Sequence, residues 1–373
     1  MEKLKMKRPN EDRNNFISEY DKKKRKIIDE KDIINKFLYS YFFIDKSLLI
    51  KEFLEEASSI ICVTRPSGYG KTINLTMMCY FFEMNYENDE ISENKKYFEN
   101  LNIAKEKIYG ESYIDHYQGK YPIVYLDFNK FEIESTYDET LDSFKKFIQE
   151  LYSNYQNISI ENLKYDDEDE WENFQKCNVN NKDLDYSIYF LCNCLKRILE
   201  RKIVLLIDNY DLPILNAINT EFYDQFYSFY YSIFKILFKY DNEKCYLFKT
   251  FITGKVNSHF FYDFNLVNYS ILSDKYIEYF SITDSELRKL ISEFKLKNKK
   301  EIFEKYCINN KSTFSNINRT NINNINEINI IISSTFFNNK SDDDGNNNNK
   351  SDDDGNNNNN NSDNDGNNVY KIK

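Results

Sequence analysis

Apolar residues along this chain collect in five short, largely unbroken runs: IICVT (60–64), YPIVYLDF (121–128), IVLLID (203–208), YLFKTFIT (246–253) and VNYSIL (267–272). A strand with one solvated face alternates apolar with polar positions. Runs without alternation suit strands covered on both faces, as in a parallel sheet. Helical spacing fills most of the intervals. Leu75, Met78, Cys79 and Phe82 follow a helical face after the first run. Leu184, Ile188, Leu191, Leu195 and Ile198 do so before the third, and Phe222, Phe226, Phe229, Ile233 and Leu237 before the fourth. Strands alternating with helices predict a three-layer α/β sandwich joined by right-handed crossovers. After the last run, TDSE (283–286) is a capping box. It opens a helix with Leu287, Leu290, Ile291 and Phe294 on one side. Residues 130–183 are less regular, and their acidic YDDEDEW (165–171) reads as a solvated surface insertion rather than a cation site.

The two ends differ in character from this core. Residues 1–31 form a charged arm containing KKKRK (22–26), which suits either a nuclear import signal or a solvated segment. From residue 309 asparagine dominates, and from 341 a decapeptide repeats as SDDDGNNNNK, SDDDGNNNNN and a decayed SDNDGNN. That composition has almost nothing apolar to bury, so 309–373 reads as a disordered low-complexity tail. Its DDDG runs lack the downstream glutamate of a calcium loop.

Composition narrows the function. At 41% hydrophobic and 17% aromatic, the 373-residue chain has ample material for one core between residues 32 and 308. Eight Asp against one Lys in residues 341–368 account for −7 of the net −11, leaving the remainder only mildly acidic at −4. That balance gives no support to nucleic acid as a partner. The seven cysteines (62, 79, 177, 192, 194, 245 and 307) are scattered, and only two histidines are present, so a zinc site is not indicated. Buried thiols, the absence of a signal peptide and the absence of a membrane-length apolar run predict a soluble intracellular protein, in cytoplasm or nucleus.

The chemistry concentrates in TRPSGYGKT (64–72). Gly70, Lys71 and Thr72 fill the last three places of the phosphate loop G-x-x-x-x-G-K-[ST] (Walker A), while Arg65 occupies the place of its first glycine. A strand precedes the loop and a helix follows. Gly68 and Gly70 can take positive φ and turn main-chain N–H groups inward as an anion nest. Lys71 is placed to reach the terminal phosphates, Thr72 to hold Mg²⁺, and the helix adds its positive end. Pro66 biases Arg65 toward extended geometry as the strand enters the turn. Asp208, closing the apolar run IVLLID, has the arrangement of a carboxylate beside nucleotide-bound Mg²⁺ (Walker B). Thr253, ending a further run, points a hydroxyl toward the expected γ-phosphate. The candidate ligand contacts are therefore Arg65, Pro66, Ser67, Gly68, Tyr69, Gly70, Lys71, Thr72 and Thr253, with Thr72 and Asp208 for the metal.

Four blocks together resemble the AAA-ATPase-like family: FFIDKSLLIKEFLEE (42–56), VTRPSGYGKTINLTMMCYFF (63–82), LLIDNYDLPI (205–214) and TFITGKV (250–256). Members of that family carry a D-K-T segment, an R-P-x-x-F-G-K-[ST] loop, an I-D-E-Y-D-x-P strand end and a T-G segment. The likeness spans residues 32–308. It implies an ATP-binding P-loop NTPase sandwich of the additional-strand type, with a mainly parallel five-stranded sheet and ATP and Mg²⁺ as ligands. It also makes Arg65-Pro66 the ordinary form of the loop. Asp45, Lys46 and Ser47 match the D-K-T segment, with a role in either nucleotide contact or domain packing. The chain departs from the family at Asn209, where the water-polarising glutamate is expected; an amide cannot accept a proton. Asp211 is left as a substitute base or a helix cap, so the catalytic candidates are Asp208, Asn209 and Asp211. Lys255 and Asn257 stand where an arginine usually follows the T-G segment. No nuclease-like module follows; a lone EFK (293–295) does not make one. The expectation is an ATP-binding switch with slow hydrolysis, or a non-hydrolysing binding scaffold, with the protein partner unspecified.

Overall fold

The computed structural model describes residues 44–86, 92–161, 163–238, 246–256, 259–283, 285, 286, 288 and 289. The chain divides into two units, Met1–Asn329 and Ile330–Lys373, and all described residues lie in the first. The basic run at 22–26, EFK and the Asn/Asp tail fall outside the described residues.

The chain opens with helix α1 (Leu48–Glu55), strand β1 (Ile60–Thr64) and helix α2 (Lys71–Phe82). A small hairpin, β2 (Lys107–Ile108) and β3 (Glu111–Ser112), leads into α3 (Tyr113–Tyr117) and β4 (Ile123–Asp127). Helices α4 (Tyr137–Ser153), α5 (Tyr165–Gln175) and α6 (Ser187–Leu199) precede β5 (Ile203–Asp208). Then come α7 (Leu212–Ala217), α8 (Tyr223–Leu237), β6 (Leu247–Gly254) and β7 (Val267–Tyr269). The main sheet runs β4-β5-β6-β1-β7, and every pairing in it is parallel. Strand β6 thus lies between β1, which leads into the glycine loop, and β5, which ends in Asp208. This is the additional-strand order.

The apolar runs are unalternated because both faces of the central strands are covered. Ile60 and Cys62 of β1, Val124 and Leu126 of β4, and Ile203, Leu205 and Ile207 of β5 join one core with α4, α6 and α8. Ile61 and Val63, Ile123 and Tyr125, and Val204 and Leu206 join the other with α1 and α2. Successive residues on a strand point to opposite faces, so two dry faces require an unbroken run. The edge strand is the exception. Strand β7 pairs only with Ile61–Val63, ends at Tyr269 and is half-buried; Leu272, in the last predicted run, is 58% exposed.

Residues 130–183 are more regular than expected, and YDDEDEW is part of a core-packed helix rather than an insertion, although its acids stay exposed or half-exposed. Helix α4 is capped by Thr136, whose hydroxyl accepts from the Glu139 N–H at 3.3 Å. It buries Leu141, Phe144, Phe147, Ile148 and Leu151 on one face. The acidic run forms the first turns of α5, where Asp166, Asp167 and Glu168 meet the positive helix end. The opposite face buries Trp171 and Phe174 against Tyr152, with ring centroids 5.1 Å away in each case. Asp167 accepts from Arg197 of α6 at 2.8 Å. The run is amphipathic: acids on one side, an aromatic anchor on the other. Cys62, Cys79, Cys192 and Cys194 are buried free thiols, and Cys177 is half-buried. Among the described residues no helix is long and apolar enough to cross a membrane.

If α5 is part of the core, Trp171→Ala lowers unfolding free energy by about 3–5 kcal/mol. The neighbouring exposed change Asp169→Asn stays within about 0.5 kcal/mol. Equilibrium denaturation measures both, and equal small effects would return α5 to the surface.

Candidate functional site

The loop between β1 and α2 is built by its glycines and held by its ends. Gly68 (φ 82°) and Gly70 (φ 74°) both adopt left-handed conformations, which L side chains resist and glycine does not. Gly70 is the N-cap of α2, so helical N–H groups without intrahelical partners face the loop. Pro66 and Ser67 are exposed and Tyr69 is buried. The Lys71 ammonium lies within the loop, donating to the carbonyls of Arg65 at 2.9 Å and Pro66 at 2.8 Å. It is 6% exposed and makes no ion pair among the described residues. Burial holds its pKa below the usual lysine value against the opposing pull of Asp208 and Asp211. A buried ammonium satisfied only by carbonyls is a site that gains from an anion.

Arg65 takes a different direction from the rest of the loop. Its guanidinium donates to the carbonyls of Thr64 (2.8 Å) and Tyr269 (2.9 Å) and lies 5.7 Å from the Phe280 ring centroid. It is 1% exposed, and burial lowers its pKa to about 10. The side chain therefore ties the loop entrance to the edge strand.

Asp208 is the hub. Its Oδ2 accepts the Thr72 hydroxyl at 2.5 Å, and its Oδ1 accepts the Thr253 hydroxyl at 2.5 Å and the Asn209 N–H at 2.9 Å. The carboxyl is fully buried, and that burial raises its pKa; the two hydroxyls oppose the shift and Asp127 adds to it. Thr253, expected to face phosphate, gives its hydroxyl to this carboxylate instead. Thr72 and Asp208 offer two hard oxygens at one point. That donor set fits Mg²⁺, which takes one or two protein oxygens and completes its shell with phosphates and water. No group of three or more His, Cys, Asp or Glu residues arranged to hold a metal ion occurs among the described residues.

After Asp208 the chain turns sharply. Asn209 has φ 57°, and its Nδ2 donates to Asp127 Oδ1 at 2.9 Å. Asp211 makes no side-chain cap to α7; its Oδ2 accepts the N–H groups of Lys255 (2.8 Å) and Val256 (2.7 Å). Its Oδ1 is buried without a partner. The Tyr210 hydroxyl donates to the Val256 carbonyl at 2.8 Å. The strand end and the T-G segment are thereby clamped together, and Gly254 is where they touch: a Cβ there would meet the Tyr210 ring at 2.5 Å and Asp211 Oδ1 at 2.9 Å.

The D-K-T match makes packing contacts. Asp45 accepts the N–H groups of Ser47 and Asn102, at 2.9 and 2.6 Å, and the Ser47 hydroxyl accepts that of Ile103 at 3.1 Å. The Lys46 ammonium donates to Glu286 at 2.7 Å and to the Glu278 carbonyl at 2.5 Å. Glu286 in turn accepts the Thr283 N–H at 2.8 Å, closing the expected capping box; the predicted apolar face at 287, 290, 291 and 294 lies outside the described residues.

Asp127 was not singled out by the sequence reading. The signal was there: YPIVYLD ends in an aspartate just as IVLLID does, and in the sheet Asp127 stands level with Asp208.

A glycine loop opening a helix, an inserted strand and a distal buried aspartate brought to the loop threonine define a P-loop nucleotide-binding protein. The chain belongs to the AAA-ATPase-like family, described as predicted AAA-ATPase, whose model matches residues 24–260. That membership carries nucleotide binding, generally with a divalent metal. None of the curated proteins compared with it matches.

The clamp at Gly254 is testable. Gly254→Ala forces the methyl into Tyr210 and lowers stability by about 1–3 kcal/mol, the usual penalty for overpacking. A thermal scan without nucleotide that shows no shift would remove the contact.

Proposed function

We propose that this protein binds Mg²⁺–ATP in the 65–72 loop and hydrolyses it slowly, serving as a nucleotide-dependent switch. The observation that carries the reading is the 2.5 Å contact between the Thr72 hydroxyl and Asp208 Oδ2. It joins the two parts of a nucleotide site across 136 residues of sequence. In this reading main-chain N–H groups of the loop, from Ser67 to Thr72, cradle the phosphates, and Lys71 supplies the compensating charge. Thr72 and Asp208 would hold the metal, which when bound would neutralise phosphate charge. Arg65 acts from behind, fixing the entrance of the loop through the Tyr269 carbonyl.

Slow hydrolysis follows from Asn209. The amide can accept a hydrogen bond from water but not its proton, and loss of a general base lowers rates by about 10²–10⁴. In this reading Asp211 is not the base, because its Oδ2 holds two N–H groups of the T-G segment and its Oδ1 is buried against Gly254. That same link connects the strand end bearing Asp208 to the T-G segment, which supports a switch that reads nucleotide state.

Titration with Mg²⁺–ATP, with and without Lys71→Ala, tests the reading. The natural protein binds, and Lys71→Ala weakens binding roughly tenfold to a hundredfold, the equivalent of one charge-assisted hydrogen bond. Turnover is on the order of 10⁻³ to 10⁻¹ s⁻¹, an ordinary enzyme rate reduced by the missing base. Binding without turnover selects the scaffold reading, and failure to bind Mg²⁺–ATP overturns both.

A further inference from the structure

Strand β4 ends as β5 does, in an aspartate, and the two aspartates stand level on neighbouring strands. Asp127 Oδ1 accepts the Asn209 amide Nδ2 at 2.9 Å and the Asn129 N–H at 3.0 Å. A carboxylate in this role only accepts, so the nitrogen of the Asn209 amide must face Asp127 and its oxygen must face away. The main chain of Asn209 is fixed as well. Its N–H donates to Asp208 Oδ1 at 2.9 Å, and its carbonyl accepts the Leu212 N–H at 3.0 Å. Asn209 Oδ1 is thus left as a half-exposed acceptor without a protein donor among the described residues, on the residue that follows the proposed metal ligand.

From this we infer that Asp127 is a positioning residue for hydrolysis: it locks the Asn209 amide so that Oδ1 accepts a hydrogen bond from the attacking water. The inference rests on the Mg²⁺–ATP reading and supplies the turnover that remains without a glutamate. In the step it serves, the water oxygen bonds to the γ-phosphorus as the bond from that phosphorus to the β–γ bridging oxygen breaks. ADP leaves with that electron pair, and the displaced water proton ends on inorganic phosphate. Asn209 orients the water and takes no proton, the part that a glutamine plays in some P-loop hydrolases.

Four variants, one of them double, and three readouts test this. Asp127→Ala lowers kcat roughly tenfold to a hundredfold, the loss of one hydrogen bond to a charged group. Its affinity for Mg²⁺–ADP stays within about twofold, separating orientation from binding. Asp127→Asn keeps an accepting oxygen for both Asn209 and Asn129 and recovers most of the rate. In an Asn209→Ala background, Asp127→Ala costs nothing further, because both act through one water. Without nucleotide, isotope labelling at asparagine gives a readout independent of activity. The Asn209 side-chain amide, identified by its loss in Asn209→Ala, carries one downfield, slowly exchanging proton that disappears in Asp127→Ala. Unchanged kcat in Asp127→Ala, additive losses in the double variant, or a parallel loss of affinity overturns the inference. Mg²⁺–ATP binding without turnover in the natural protein overturns it while leaving the binding site standing; absence of binding overturns the site itself.

Discussion

The structure turns on one buried carboxylate. Burying an ionised group without partners is prohibitive, and Asp208 is fully buried. It is tolerated because three donors converge on it from three places: Thr72 from α2, Thr253 from β6 and the N–H of its own successor. Each imposes a condition on the fold. Thr253 reaches Asp208 only if β6 lies beside β5, and Thr72 only if β1 delivers α2 on the far side of β6. The strand order β5-β6-β1 meets both, with Val63 paired to Thr253 and Ile207 to Ile252. The inserted strand is therefore more than a spacer; it brings the hydroxyl that keeps Asp208 in place.

The same reasoning explains the arginine at the head of the loop. A first glycine would leave the entrance to the turn unanchored. Arg65 fastens it to two carbonyls, one on its own strand end and one on the edge strand, with the Phe280 ring nearby. A short edge strand paired over only three residues gains a cross-link from this, and the loop gains a fixed origin. Lys46 plays a comparable part lower down, binding the start of α1 to Glu286 in the capping box. Both side chains are long buried cations, Arg65 held by main-chain carbonyls and Lys46 by one carbonyl and the Glu286 carboxylate. In both cases burial pulls the pKa below its ordinary value, so part of the stabilising interaction offsets desolvation.

How much of this was legible depends on range. The five strands were readable because two covered faces leave an unbroken apolar run, a purely local signal. The turn at 64–72 and the strand end at Asp208 were readable as positions in the fold, because paired glycines before an apolar helix and an acid closing an apolar run mark them locally. Strand order was not readable from local pattern, since pairing β6 between β1 and β5 involves contacts nearly 200 residues apart in sequence; only the family resemblance implied the additional-strand order. Helix α5 was hidden for another reason. Only Trp171 and Phe174 carry its buried face, and the surrounding acids dominate any window average; its helicity depends on packing against Tyr152, not on local periodicity. Thr253 was placed correctly at a strand end but assigned to phosphate, because a sequence does not reveal that a neighbouring strand offers the hydroxyl a nearer acceptor. Asp127 stayed unnoticed because its meaning comes entirely from the strand beside it.

That neighbour gives Asn209 a physical rationale. Position 209 adopts a left-handed conformation that asparagine accepts more readily than most residues with a side chain. It also stands between two aspartates at the ends of adjacent strands. A glutamate there would add a third carboxylate to the group and leave Asp127 without the donor it now has. An amide does the reverse: it is neutral and it donates to Asp127. The amide at 209 and the aspartate at 127 are two sides of one arrangement, in which a neutral side chain satisfies one carboxylate beside a second.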